Sequence, residues 1–218
     1  MPATTSAPYQ SKPEGYYGQG RPDLVARLPR PLGRVLDVGC GEGAAGPGLR
    51  EAGASWVSGV EMHPGAAERA RLVLDEVVVG AVEDVLDRLT GPFDTILAYD
   101  VLEHLRDPAS VLTALRGKGP AGARLHVSLP NARHWTLVRD LALRGTFGYT
   151  DAGHRDETHV KWFTRSDAMR LLESSGWQVQ SVDHGMLRPV SRLGSRLTRG
   201  LTTEFLVYQW SLLAVSRP

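Results

Sequence analysis

The sequence predicts an α/β fold in which helices cover both faces of a largely parallel sheet. Short apolar runs typical of strands alternate with helical patterns along most of the chain. The first such run, Val35 to Val38, passes into the turn Gly39-x-Gly41-x-Gly43 and then into a helical pattern. A strand, a glycine-rich turn and a helix in this order begin a nucleotide-binding sheet. The glycines let backbone N–H groups approach a ligand that a Cβ atom would keep away.

The length and composition indicate one globular domain. The 218 residues are 42% hydrophobic and 22% charged, which is enough apolar material for a single core. Residues 1–13 are rich in Ser, Thr, Pro and Ala, which predicts a disordered tail before a domain over residues 14–218.

The net charge and the cysteine content limit the binding partners and the cellular compartment that we expect. A net charge of +1 provides no basic field, so we expect no nucleic-acid partner. Cys40 is the only cysteine, which excludes an internal disulfide and fits a reducing compartment. The sequence has no apolar run long enough to cross a membrane and no signal-peptide pattern, so we expect a cytoplasmic protein. The oligomeric state is left open, with a homodimer as one alternative.

The remaining elements follow from the hydrophobic pattern and from helix start and stop signals. In order, they are a helix over 44–52, a strand over 56–60, a helix over 64–74, strands over 76–79 and 93–99, a helix started by Asp107 and Pro108, a strand over 124–129, helices over 135–143 and 166–175, a strand over 178–183 and a last apolar run over 204–215. The last run is expected to add an antiparallel strand, which completes a seven-stranded mixed sheet. Between 178–183 and this run, arginines recur at helical spacing as a basic stripe, namely Arg188, Arg192, Arg196 and Arg199.

The glycine turn is compatible with two different cofactors. Gly39-x-Gly41-x-x-Ala44 with Glu61 fits the dinucleotide fingerprint of an NAD(P)-dependent oxidoreductase. Asp37 favours S-adenosylmethionine, because a carboxylate at the end of the first strand can hold an α-amino group, which NAD lacks. Glu61 would accept the ribose hydroxyls under either alternative, and Met62 could pack against adenine.

The stretch V-L-D-V-G-C-G-E-G resembles motif I of the class I S-adenosylmethionine-dependent methyltransferases, which have a Rossmann-like fold. Residues 16–177 are similar to MetW-like bacterial tailoring methyltransferases, on D-V-G-C-G-E-G, G-V-E, D-V-L-E-H-L, S-L-P-N-A-R-H-W and T-H-V-K-W-F-T. Many relatives carry Asp after the glycine of the third strand, whereas this chain has Ala81, so Val82 or Glu83 is expected to face adenine. The resemblance implies cofactor binding by Asp37, Gly39, Gly41, Gly43, Glu61, Met62, Val82, Glu83, Tyr99 and Asp100.

A long insert after the fifth strand is expected to form a substrate cap. About 35 residues separate that strand from the next core helix, far more than a usual connection, and we assign residues 131–163 to the cap. Its polar half carries histidines, acids and an arginine that suit a hydroxyl-rich acceptor. The candidate acceptor-binding residues are Tyr17, from the segment before the first strand, and Tyr149, His154 and Arg155.

Methyl transfer to a hydroxyl calls for a base with a pKa near neutrality, which favours histidine. His104 follows the fourth strand and His159 lies in the cap, so both are candidate catalytic residues. A metal-dependent alternative remains open. D-V-L-E-H and T-H-V-K-W-F-T-R resemble the metal-binding pattern of small-RNA 3′-end methyltransferases, which implies Asp100, Glu103, His104 and His159 as ligands of Mg²⁺ or Mn²⁺.

The function expected from these observations is S-adenosylmethionine-dependent methyl transfer. The expected acceptor is a hydroxyl of a small molecule or a sugar-like glycan precursor in a bacterial tailoring or biosynthetic pathway. Two alternatives stay open, namely an NAD(P)-dependent oxidoreductase and a non-catalytic cofactor-binding module that acts through a partner.

Overall fold

The computed structural model of the chain describes residues 15–184 and 202–217. The predicted tail, residues 1–13, and the basic stripe from Arg188 to Arg199 lie outside the described residues. Within the described ranges, no helix has both the length and the apolar character needed to span a membrane.

The strands are β1 (Gly33–Val38), β2 (Ala54–Glu61), β3 (Glu76–Val79), β4 (Thr95–Tyr99), β5 (Arg124–Pro130), β6 (Trp177–His184) and β7 (Gln209–Ser216). They form one seven-stranded sheet in the order β3-β2-β1-β4-β5-β7-β6. The five strands from β3 to β5 run parallel, and β7 pairs antiparallel with both β5 and β6. The seven-stranded mixed sheet predicted from the sequence is therefore confirmed.

The helices are α1 (Pro22–Val25), α2 (Gly46–Glu51), α3 (Pro64–Ala70), α4 (Val82–Val85), α5 (Pro108–Arg116), α6 (Trp135–Arg144), α7 (Arg165–Ser174) and α8 (Thr203–Leu206). Short 3-10 turns lie at Tyr16–Gly18, Leu86–Arg88, Leu102–His104 and Gly153–Arg155.

Helix starts follow the capping residues in the sequence. The Asp107 side chain accepts a hydrogen bond from the Ser110 backbone N–H, and Pro108 begins α5. Thr164 and Asp167 form a reciprocal capping box at the start of α7. These caps satisfy backbone donors that would otherwise lack a partner in the first turn.

The central strands are buried on both faces, as parallel strands between two helical layers must be. Leu36 of β1 and Ile96 of β4 belong to one hydrophobic cluster, whereas the neighbouring Val35 and Leu97 belong to a second cluster. Alternate residues therefore anchor the helices of opposite faces.

The last predicted strand differs from the structure at its beginning. The run 204–215 divides into α8 and β7, which begins only at Gln209. The buried Asn131 side chain explains the break, since its Nδ2 donates to the carbonyl oxygens of Glu204 and Val207. These two bonds hold the chain in a turn before β7.

The topology places a site at the carboxyl ends of β1 and β4. These two strands are adjacent, and the connections that follow them lead to opposite sides of the sheet, to β2 and β5. Ligands of doubly wound sheets bind at such a switch point.

Candidate active site

A cavity of about 780 Å³ opens at this edge of the sheet. It is lined by residues from the glycine turn, the ends of β2 and β4, the segment before β1 and the insert after β5. The predicted site residues on its wall are Tyr17, Asp37, Gly39, Gly41, Glu61, Met62, Val82, Glu83, Tyr99, Asp100, Glu103, His104, His154 and His159.

The glycine turn requires glycine at Gly41 for two reasons. Its φ is +55°, and a Cβ atom would lie 2.2 Å from the carbonyl oxygen of Tyr17. The same carbonyl accepts a hydrogen bond of 2.9 Å from the Glu42 N–H, which fastens the segment before β1 across the turn. Gly43 does not line the cavity: a Cβ there would lie 3.2 Å from the Ala70 Cα, so this glycine permits packing against α3.

Glu61 supports the turn as well as facing the cavity. Its Oε2 accepts the Gly41 N–H at 2.9 Å, and its Oε1 accepts the His63 N–H at 2.7 Å. Each carboxylate oxygen can accept a second hydrogen bond, so both stay available to ribose hydroxyls. Burial raises the pKa of Glu61, and the two backbone donors oppose that rise.

Asp37 is a buried carboxylate at the end of β1. Burial, with a smaller contribution from Glu61, raises its pKa to about 7. An ammonium group placed between these two acids would relieve the cost of their burial. The site is therefore suited to a ligand that brings a positive charge to this end of the cavity.

The segment before β1 covers the turn. The ring of Tyr17 stacks on that of His63 at a centroid distance of 4.9 Å, so Tyr17 borders the cavity beside the glycine turn. Arg21, which the sequence analysis missed, donates to Asp100 Oδ2 at 2.7 Å and to Gln209 Oε1 at 2.6 Å.

Glu103, His104 and His159 come together on the cavity wall. One potential ligand atom from each lies within 4.8 Å of the others. Both carboxylate oxygens of Glu103 are buried without a hydrogen-bond partner among the described residues. Burial, with Asp100 as the second cause, raises the pKa of Glu103 well above its ordinary value.

Asp100 does not join this cluster, so its place in the predicted set of four metal ligands is wrong. The backbone separates Asp100 from the cluster, because Asp100 has a φ of +56° and the 3-10 turn that carries Glu103 and His104 begins only at Leu102. Its carboxylate instead accepts hydrogen bonds from Arg21, Ser128 and Gln209.

His104 is oriented from the insert. Its Nδ1 lies 3.3 Å from the Thr158 carbonyl oxygen and 3.1 Å from the Thr158 hydroxyl, which in turn donates to Asp156 at 2.7 Å. Donation from Nδ1–H to the carbonyl leaves Nε2 as the basic nitrogen. The ring of His159 meets that of His104 edge-on at 4.7 Å.

The insert contributes His154 to the cavity, but Tyr149 and Arg155 do not line it. Arg155 donates instead to Asp140 Oδ2 at 2.7 Å and to the Thr136 carbonyl oxygen at 2.9 Å, which ties the polar half of the insert to α6. Tyr149 is exposed on the outer surface. Burial lowers the pKa of His154 to about 4, so this ring is neutral near pH 7.

A buried polar chain behind Tyr99 was also absent from the predictions. The Tyr99 hydroxyl lies 2.8 Å from His126 Nδ1, and His126 Nε2 lies 2.6 Å from the Ser211 hydroxyl. Burial lowers the pKa of His126 to about 4, so the imidazole is neutral and can donate at one nitrogen while accepting at the other. These hydrogen bonds fix the side chain of Tyr99, which lines the cavity.

The fold and the cavity define an α/β enzyme domain with a nucleotide-type cofactor site. A family model described as a methyltransferase domain matches residues 9–182. A ubiquinone biosynthesis O-methyltransferase of Xanthomonas oryzae is 30% identical over 192 residues, covering 85% of this chain and 79% of that protein. The chain belongs to this methyltransferase family and is an S-adenosylmethionine-dependent methyltransferase.

Solved structures show the same fold. An S-adenosylmethionine-dependent methyltransferase from Mesorhizobium loti has a TM-score of 0.63 at 19% identity, covering 91% of this chain and 98% of that one. A 1,6-didemethyltoxoflavin N1-methyltransferase from Burkholderia thailandensis, solved with S-adenosylhomocysteine, has a TM-score of 0.60 at 19% identity, covering 91% and 78%. The expectation of a methyltransferase, rather than an oxidoreductase or a non-catalytic module, is confirmed.

Proposed function

We propose that this enzyme transfers the methyl group of S-adenosylmethionine to a hydroxyl of a small-molecule acceptor in a biosynthetic pathway. The observation that carries the proposal is the pair His104 and His159 on the cavity wall beside the end of β4. An imidazole is the side chain suited to removing a hydroxyl proton near neutral pH. The name of the Xanthomonas relative, an O-methyltransferase of ubiquinone biosynthesis, supports a hydroxyl acceptor.

The cofactor would lie across the ends of β1, β2 and β4. Asp37 would hold its ammonium group, and Glu61 would accept its ribose hydroxyls. Gly39 and Gly41 allow the close approach of the backbone. Adenine would pack on Met62 and Val82, with Glu83 beside it, since all three line the cavity. Tyr99 and Asp100 would border the methionine part.

The reaction is an in-line displacement at the sulfonium carbon. The acceptor oxygen forms a bond to the methyl carbon as the carbon–sulfur bond breaks, and S-adenosylhomocysteine leaves as a neutral thioether. His104 Nε2 would accept the hydroxyl proton, because the Thr158 carbonyl fixes the proton-donating nitrogen at Nδ1. His159 and His154 would border the acceptor, and residues 131–163 would act as the cap that selects it.

A second candidate adds a divalent cation to the same site, and the orphaned carboxylate of Glu103 favours it. Glu103, His104 and His159 offer oxygen and imidazole ligands that suit Mg²⁺ or Mn²⁺. A bound cation would lower the pKa of an acceptor hydroxyl.

Two measurements test these proposals. Tritium transfer from S-adenosyl[methyl-³H]methionine to catechol and to aniline compares a hydroxyl with an amine acceptor; we expect labelled ether from catechol, and label on aniline alone would contradict O-methylation. Addition of EDTA distinguishes the two candidates. Activity that persists in EDTA supports a metal-free base, whereas loss that Mg²⁺ or Mn²⁺ reverses supports the cation.

A further inference from the structure

Asp156 is a buried carboxylate of the insert that the proposed methyl transfer leaves without a role. It follows the 3-10 turn Gly153–Arg155, is 1% exposed and borders the cavity. A carboxylate is costly to bury unless hydrogen bonds or a cation compensate. Burial raises the pKa of Glu103, and the charges of Asp100 and then Asp156 add to the rise. Buried acids that interact in this way destabilise each other, so Asp156 calls for an explanation beyond packing.

The carboxylate of Asp156 fixes the orientation of the Thr158 side chain. Its Oδ1 accepts the Thr158 backbone N–H at 2.9 Å and the Thr158 hydroxyl at 2.7 Å. An acid that accepts the N–H of the residue two positions later forms a local turn. The second hydrogen bond uses the only proton of the hydroxyl. The Thr158 hydroxyl oxygen is therefore left as an acceptor for any further partner.

That further partner is the imidazole of His104. Its Nδ1 lies 3.1 Å from the Thr158 hydroxyl oxygen and 3.3 Å from the Thr158 carbonyl oxygen. The carbonyl has no proton to give, and the hydroxyl has given its proton to Asp156. Both contacts are hydrogen bonds only if Nδ1 carries the ring proton, which leaves the lone pair on Nε2. The carboxylate thus determines, through one hydroxyl, which nitrogen of His104 is basic.

Backbone hydrogen bonds hold the insert in register with the end of β4. The Glu103 carbonyl oxygen accepts the N–H of Val160 at 2.9 Å and the N–H of Lys161 at 3.0 Å. Glu103 precedes His104, and Val160 follows Thr158 by two positions. These bonds therefore keep Thr158 beside His104 independently of the side-chain contacts.

We propose that Asp156 is a positioning residue for methyl transfer and acts through the Thr158 hydroxyl to keep the lone pair of His104 on Nε2. This role rests on the proposed function, in which Nε2 receives the proton of the acceptor hydroxyl. As that proton leaves, the electron pair of the O–H bond stays on the acceptor oxygen and forms the bond to the methyl carbon. The imidazolium then carries a proton on each nitrogen, and Asp156 neither gains nor loses one. The same tautomer would present Nε2 to a divalent cation.

Long-range ¹H–¹⁵N correlation NMR of the full chain at about pH 8 measures the tautomer of His104 without substrate or turnover. The His104 signals are those that disappear in H104Q. We expect the wild type to carry its ring proton on Nδ1, and a proton on Nε2 would overturn the proposal without the need for any variant of Asp156. In D156A the hydroxyl proton is free to be donated to Nδ1, so we expect a measurable population of the Nε2–H tautomer. An unchanged tautomer in D156A would also overturn the proposal.

The double variant D156A/T158V separates this role from a merely structural one. It removes the hydroxyl that would donate to Nδ1 and keeps the backbone carbonyl, so the ring proton should return to Nδ1. A contribution to folding alone predicts no such return, and an Nε2–H tautomer that persists in the double variant would contradict the proposal. E157Q, which alters the exposed carboxylate next to Asp156, is the matched control and should keep the wild-type tautomer.

Turnover with an acceptor that the wild type methylates should follow the tautomer. We expect D156A to lower kcat about tenfold or more and D156A/T158V to recover part of that loss. The affinity for S-adenosylhomocysteine should stay at the wild-type value in both variants, which shows that they are folded. Because the NMR measurement uses no acceptor, full turnover by H104Q would refute the base and leave the tautomer result standing.

Discussion

The imidazole Nε2 of His159 lies 3.9 Å from the carboxylate Oε1 of Glu103, and both side chains are buried. The distance of 3.9 Å is too long for a hydrogen bond. It nevertheless shows that the fold brings together two side chains that are 56 positions apart in the chain. Two backbone bonds hold the segments together, since the Glu103 carbonyl oxygen accepts the N–H groups of Val160 and Lys161. The insert is thus held against the segment that follows β4, next to His104, the proposed catalytic base.

Asp37→Asn should stabilise the cofactor-free protein while weakening cofactor binding. The pKa of Asp37 is raised from 3.8 to about 7, so ionising it in the folded state costs stability as the pH rises through that range. The stability gained by the variant should therefore grow from about pH 4 to pH 7 and level off above. Thermal unfolding against pH measures this, and a gain that does not depend on pH would contradict it.

The same carboxylate should make cofactor affinity dependent on pH. An ammonium group prefers ionised Asp37, so wild-type affinity for S-adenosylhomocysteine should fall about tenfold per unit as pH drops below 7. Calorimetry from pH 8 to pH 6 measures the slope. Asp37→Asn serves as the control, because its affinity should be weak and nearly flat over this range.

Glu61→Ala should weaken S-adenosylhomocysteine binding by at least tenfold. The change removes the proposed ribose acceptor and leaves the N–H groups of Gly41 and His63 without their present partner. Glu51→Gln, which alters an exposed carboxylate at the end of α2, is the matched control and should bind normally. Unchanged binding by Glu61→Ala, measured by calorimetry, would show that Glu61 only supports the turn.

Arg155→Ala should lower the melting temperature without changing affinity for S-adenosylhomocysteine. Arg155 bonds both Asp140 and the Thr136 carbonyl, and its side chain is largely buried between them. Arg144→Ala removes another, more exposed partner of Asp140 and should have a smaller effect. Equal effects of the two substitutions would mean that Arg155 does not brace the insert.

His126→Leu should reduce the free energy of unfolding by about 1–3 kcal/mol for each hydroxyl it leaves without a partner. Those hydroxyls belong to Tyr99 and Ser211, which the imidazole joins. Ser211→Ala removes one end of the chain only and should cost less. Urea denaturation measures both, and a neutral His126→Leu would show that the chain does not position Tyr99.

Local patterns were sufficient to predict the sheet and the glycine turn. Apolar runs predict which segments form buried strands. Asp107 and Pro108 mark the start of a helix through contacts confined to the first turn. The contacts of Arg21 with Asp100 and of Tyr99 with His126 could not be predicted, because they depend on how distant elements pack. The role of Asp100 could not be predicted for a related reason: its positive φ does not follow from the residue type, and its carboxylate accepts hydrogen bonds from the distant Arg21 and Gln209.

The insert too could be predicted from the sequence only in part. Its length indicated a cap, and His154 and His159 do line the cavity. Composition alone did not distinguish Arg155, which braces α6, from residues that face the cavity.

The most direct test of the proposed mechanism is the turnover of His104→Gln with S-adenosylmethionine and a hydroxyl acceptor that the wild type methylates. If His104 is the base, turnover should fall about 10²–10⁴-fold while the affinity for S-adenosylhomocysteine stays at the wild-type value. His184→Gln, an exposed histidine on β6, should be fully active. Wild-type turnover by His104→Gln would contradict the assignment of the base.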